Sequence, residues 1–161
     1  MMNDAATMTP MRAGLTEKVL RVRGWLEAVP YTLLALPLRA AIATVFWNSG
    51  TTKLADWSAT LSLFADEYRV PLLPTEVAAT LAASIELSMP VLLVLGLFTR
   101  PAALVLLGMT TFIEIFVYPL AWPTHIQWAA MLLVLICRGP GRFSLDQLIV
   151  SWLNKAPAPV R

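Results

Sequence analysis

Four residues of this chain have the types and setting to do chemistry away from water: Arg39, Glu86, Glu114 and His125. Arg39 interrupts the apolar part of residues 34–53, LALPLRAAIATVFWNSGTTK, and Glu86 and Glu114 are each the lone acid deep inside a later apolar stretch. A guanidinium at bilayer depth costs about 2.5–3.5 kcal/mol on insertion scales unless it is paired or hydrated, so a partner is expected. The chemistry open to such a set is ion pairing, proton relay or the binding of a polar ligand group. Intramembrane acids default to function, yet a buried Arg–Glu pair can also do no more than set helix register.

The elements that must position these residues are membrane helices. The chain has 161 residues, of which 58% are hydrophobic and 14% charged, against roughly 25% charged for a soluble domain. Its net charge of +2 comes with no basic block, so nucleic acid is not an expected partner. Cys137 is the only cysteine, which excludes an internal disulfide or a CxxC pair. The first 30 residues carry Lys18, Arg21, Arg23 and Glu27 ahead of the first apolar run and do not read as a cleavable signal.

The predicted fold is all-α and integral to the membrane: a four-helix transmembrane bundle with short interfacial amphipathic helices. Residues 1–30 form a tail, disordered over 1–11, and a basic amphipathic surface helix with Leu15, Val19, Val22 and Leu26 on one face. The membrane domain covers 31–137, with spans at about 31–47, 76–97, 101–120 and 124–137. The polar run at 47–50 ends the first span, and Trp57, Leu61, Phe64 and Tyr68 form one face of an interfacial helix or lid in the long connection. Thr75 is a candidate N-cap for the second span. Residues 138–161 hold a breaker, Arg138-Gly-Pro-Gly-Arg142, a capping box from Ser144 to Gln147, an amphipathic helix and a Pro-rich tail.

Nine basic residues fall on the side of the two termini and two, Lys53 and Arg69, on the other, which predicts cytoplasmic termini. Helix rise then gives depths. Arg39 lies about 12 Å in from Tyr31 and Glu86 about 15 Å in from Glu76, both near the midplane. Glu114 lies about 20 Å from Pro101, in the outer half, with His125 at the outer start of the fourth span. Depth therefore predicts an Arg39–Glu86 ion pair, with Glu114 and His125 nearer the outer mouth. Met89, Met109 and Met131, one per span, and His125 are weak metal candidates; methionine in apolar helices is more often packing. No phosphate loop, catalytic triad, haem motif or zinc spacing is present in the sequence.

The order of these marks resembles the DoxX family of small four-span bacterial membrane proteins, over about residues 35–148. The marks are Arg39, then Phe46, Ser49, Gly50 and Lys53 with Leu54 at the helix exit, then Glu86. Gly96, Thr99 and Arg100 follow in the turn, and Gly139, Gly141, Ser144 and Asp146 after the last span. The resemblance implies a bundle in a bacterial inner membrane. It also implies association with redox or detoxification systems: the family takes its name from a subunit of a thiosulfate:quinone oxidoreductase, and members occur in gene clusters for copper handling.

Three functions stay open. One is a redox-associated membrane subunit in which Arg39, Glu86 and Glu114 line a quinone-head or proton site, the electron carrier residing on a partner. The second is handling of a small solute or metal ion along the polar path. The third is a structural anchor for a partner protein.

Overall fold

Apolar residues at helical spacing, punctuated by Pro and Gly, fold here into helices alone. The computed structural model describes residues 10–154, and among the described residues there is no strand. The helices are α1 (Pro10–Glu27), α2 (Tyr31–Ala55), α3 (Trp57–Leu63), α4 (Thr75–Leu95), α5 (Thr99–Phe116), α6 (Trp122–Arg138) and α7 (Leu145–Leu153). A π-helical turn, Phe64–Tyr68, continues α3. The expected N-terminal tail, apart from Pro10 and Met11, and the tail after 154 lie outside the described residues.

The chain divides into two units, 1–31 and 32–161. In the first, α1 is exposed over its described side chains and carries Glu17–Arg21 and Arg23–Glu27 pairs one turn apart, at 2.8 and 2.7 Å. Such exposed pairs contribute only a few tenths of a kcal/mol.

In the second unit, four long helices build one core. Ile42, Ala43 and Phe46 of α2 meet Leu93 of α4, Ala102, Ala103 and Leu106 of α5, and Leu132 and Leu135 of α6. Small residues at these contacts let the backbones approach closely, as membrane helices require. A Cβ on Gly50 would fall 2.9 Å from the Leu87 side chain and 3.0 Å from the Glu86 Cβ, so a glycine is needed where α2 crosses α4. A second cluster of Phe64, Ala78 and Ala79 joins the π turn to α4, with Trp57, Leu61 and Tyr68 packed against it. The expected apolar face of the long connection thus closes over the start of α4.

Polarity is inverted relative to a soluble bundle. Arg39, Lys53, Glu86 and His125 are buried, while Leu81, Val91, Val94, Leu104, Ile115 and Leu133 are exposed. Lipid accepts the second set, and the first must be satisfied internally. Helices α4 and α5 are each long and apolar enough to cross a membrane, and α1 with α2 makes a third such stretch when taken as a bent pair.

Two local expectations change and one holds. The polar run 47–50 does not end the first long helix; α2 continues to Ala55, with the Thr51 and Thr52 hydroxyls bonding to carbonyls a turn earlier and Gly50 at the close crossing with α4. Pro74, not Thr75, occupies the N-cap of α4, and no side chain caps it. The Ser144 N-cap does form, its hydroxyl accepting from the Gln147 N–H at 3.2 Å.

Candidate functional site: a cavity between two buried polar pairs

Along α2 the buried positions Ala35, Arg39, Ile42, Phe46, Gly50 and Lys53 recur every three or four residues, placing two cations on one inward face. Long side chains on a helix lean toward its N-terminus. For Lys53 that direction leads back toward Ser49 and Glu86. For Arg39 it leads away from them.

Lys53 Nζ lies 2.9 Å from Glu86 Oε1 and 2.8 Å from Oε2, and donates to Ser49 Oγ at 2.9 Å. Ser49 donates in turn to Glu86 Oε1 at 3.0 Å, which closes a three-residue ring of contacts. The side chains of Lys53 and Glu86 are 11% and 3% exposed, so the pair sits in a medium where losing one charge would strand the other.

The expected Arg39–Glu86 pair is therefore corrected: the partner of Glu86 is Lys53. Arg39 Nε donates to the Leu93 carbonyl at 2.6 Å, Nη1 to those of Phe143 and Pro140 at 2.8 and 3.2 Å, and Nη2 to that of Val94. Two of these carbonyls belong to the last turn of α4, where a helix leaves acceptors unsatisfied and its dipole favours a cation. Arg39 is the tie between that helix end and the loop before α7.

The turn residues gather at the same end. Gly96 takes φ +67°, with the Gly96 and Leu97 N–H groups bonding the Leu93 and Leu92 carbonyls. A Cβ there would meet Ser144 Cβ at 2.5 Å and Arg39 Nη2 at 2.8 Å. Asp146 accepts from the Phe98 and Thr99 N–H groups at 2.8 and 3.0 Å and so caps α5 from α7, a contact no local pattern predicted. Its own N–H donates to the Gly96 carbonyl. Arg100 packs beside Gly139, and the Gly141 carbonyl accepts from Ser144 Oγ.

Glu114 and His125 are in contact, a pairing the depth argument did not make, and neither meets Arg39. His125 Nδ1 is 2.6 Å from Glu114 Oε2, and both side chains are largely buried. The His125 ring lies 5.0 Å from that of Trp128, which meets Phe46 edge-on at 5.7 Å.

Between these two pairs lies a cavity of about 420 Å³. Phe46, Phe64, Ile85, Met109, Phe112 and Trp128 supply much of its apolar wall, and Ser49, Lys53, Glu86 and His125 its polar groups. At the rim Tyr118 donates to Glu67, and the Tyr68 and Tyr118 rings meet edge-on at 5.5 Å. Burial pushes the Tyr68 phenol above its ordinary range. Arg39 does not line the cavity. Met89, Met109 and Met131 pack against the main core, and among the described residues no three His, Cys, Asp or Glu side chains cluster as metal ligands would.

Sequence reasoning listed Lys53 as a mark of the helix exit and missed it as the charge partner. The signal was available in the three- and four-residue spacing from Arg39 to Lys53, which requires only that the helix run on. The tyrosine rim carried no signal, since the long connection gives no register against α5.

An all-helical membrane protein with charges paired inside and apolar side chains facing out is the class that this fold and site define. Within that class the chain belongs to the DoxX family: residues 34–119, just over half of it, match the family described as DoxX. The match covers Arg39, Lys53, Glu86 and Glu114 and ends before His125. No curated protein and no solved structure matches the chain.

Proposed function

We propose that this protein is the membrane subunit of a redox system and holds the ring of a quinone-class molecule in the cavity between α2, α4, α5 and α6. The observation that carries this reading is the cavity itself. Its volume of about 420 Å³ falls in the range of small-molecule sites. Its aromatic and aliphatic wall suits a planar apolar ring, and the Lys53 and Glu86 charges on it are paired with each other, which suits an uncharged ligand. The electron carrier would reside on a partner protein, as the lone cysteine and the lack of cofactor motifs suggest.

The spans at 31–47, 76–97, 101–120 and 124–137 would cross a bacterial inner membrane with both termini cytoplasmic, on the strength of the basic-residue imbalance. Lys53, Glu114 and His125 then fall toward the outer side and Arg39 toward the cytoplasmic side. The cavity would exchange ligand with the outer half of the bilayer.

The test is native mass spectrometry on protein released gently from its own membrane. A stoichiometric added mass equal to a quinone, lost in Glu86→Gln, supports the reading. A bare particle that also fails to bind added short-chain benzoquinone or hydroquinone in equilibrium dialysis overturns it. A bound metal mass instead would favour the solute-handling alternative.

A further inference from the structure

We infer that the cavity opens sideways into the bilayer through the seam between α4 and α5, that Gly108 keeps this doorway clear, and that the ligand carries a hydrocarbon chain which passes through it. The inference rests on the quinone-class reading and narrows it to a ring with an apolar tail.

The cavity is open where its lining residues are also exposed. Within the helices these are Leu81 of α4, 51% exposed, and Val105 and Gly108 of α5. Helix rise sets their depth. Measured from the ends of α4 and α5 away from their shared turn, Leu81 lies about 9 Å in, Gly108 about 12 Å and Val105 about 17 Å. These levels are compatible, and they fall inside a hydrocarbon core of about 30 Å. Among the described helices, α4 and α5 are also the two that are each long and apolar enough to cross a membrane by themselves. The opening therefore faces lipid tails. The end toward Tyr118 is roofed instead. Phe64 and Tyr68 of the π turn line the cavity there, and Tyr118 donates to Glu67 of the same turn.

Gly108 is the residue that this doorway explains. A glycine within a helix weakens it relative to alanine, and in membrane bundles it commonly answers a close contact. Gly50 does so where α2 crosses α4. At Gly108 a Cβ would meet nothing within 4 Å, so no packing calls for the missing side chain. What its absence leaves is space at the rim of the cavity. Polarity runs the same way. Ser49, Lys53, Glu86 and His125 line the interior and none of them is exposed, whereas the three rim residues are apolar. A polar ring with an apolar chain fits that gradient with its ring inward, and the chain keeps its surface out of water by staying in the bilayer.

The experiment uses the full chain in detergent and compares trimethylbenzoquinone with the same ring carrying a decyl chain, each titrated by calorimetry. Gly108→Leu places a side chain at the rim. It should weaken binding of the decyl compound at least about tenfold and leave the tailless ring within about twofold of wild type. Comparing proteins for one compound at a time cancels that compound's partitioning into micelles. Leu104→Trp, at an exposed α5 position that does not line the cavity, should change neither affinity. In the wild-type protein, a diazirine at the end of the decyl chain should label the lipid-facing sides of α4 and α5 along the seam, mapped by peptide mass spectrometry. This second readout serves where Gly108→Leu does not fold. Equal weakening of both compounds, an unweakened decyl compound, or labelling confined to the π turn or α6 overturns the doorway while leaving the cavity a quinone-class site. Loss of an oligomer in Gly108→Leu with decyl affinity intact assigns the gap to a second copy of the chain and overturns it as well. Failure of both compounds to bind the wild-type protein overturns the functional reading and this inference with it.

Discussion

Arg39 and Lys53 stand on the same buried face of α2, about 21 Å apart along the helix axis, and reach different levels of α4, Arg39 its last turn and Lys53 its middle at Glu86. Arg39 ties down the end of α4 through backbone carbonyls, and Lys53 neutralises the one carboxylate at the cavity wall. The two cations of one stripe thus divide structure from site, and substitutions at each should separate stability from ligand binding.

Lys53→Met should destabilise the protein by about 3–5 kcal/mol, because it leaves Glu86 charged and buried. Lys53→Met combined with Glu86→Leu should recover most of that loss. Thermal unfolding in detergent, followed by loss of the monodisperse peak, measures both. Additive losses in the double variant would show that the pair is not coupled.

Arg39→Lys should cost about 2–3 kcal/mol, since an ammonium cannot reproduce the planar fork that reaches four carbonyls. Ligand affinity should stay within about twofold of wild type, a difference of under 0.5 kcal/mol. A larger fall in affinity, measured by the same calorimetric titration, would place Arg39 in the binding site after all.

Asp146→Ala removes the carboxylate that accepts from the Phe98 and Thr99 N–H groups. The expected loss is that of an N-cap, about 1 kcal/mol. Hydrogen exchange should quicken first at the beginning of α5, with the cavity end unchanged. Uniform exchange along the bundle would count against a local capping role.

Alkaline pH should loosen the cavity rim. Burial raises the Tyr68 phenol above its ordinary value of 10.0. A folded pKa above the unfolded one means stability that is complete below about pH 10 and falls as pH rises through that range, because the unfolded chain releases the proton more readily. Melting temperature should therefore drop above pH ~10, and the slope should shrink in Tyr68→Phe. An unchanged slope in that variant would assign the effect to other groups.

Much of this protein could be read before its structure. Apolar run lengths and the low charge content place it in the membrane class, since a chain this apolar has no other way to satisfy its backbone. Gly96, Leu97 and Phe98 mark the tight reversal between α4 and α5, because so few residues can only reverse direction. The rise of 1.5 Å per residue placed Glu114 and His125 toward the same end of the bundle without predicting that they meet. Rise fixes depth and says nothing of azimuth or of the direction in which a long side chain leans. Arg39 and Glu86 were matched by depth and are kept apart because Arg39 reaches back along α2 while Lys53, about four turns further along the same face, reaches to Glu86. Which faces meet was decided by packing, where Ala43, Gly50, Ala102 and Ala103 allow contact that larger residues forbid. The cavity belongs wholly to that second level: its wall draws on α2, the π turn, α4, α5 and α6, and exists only once all five have taken their rotations.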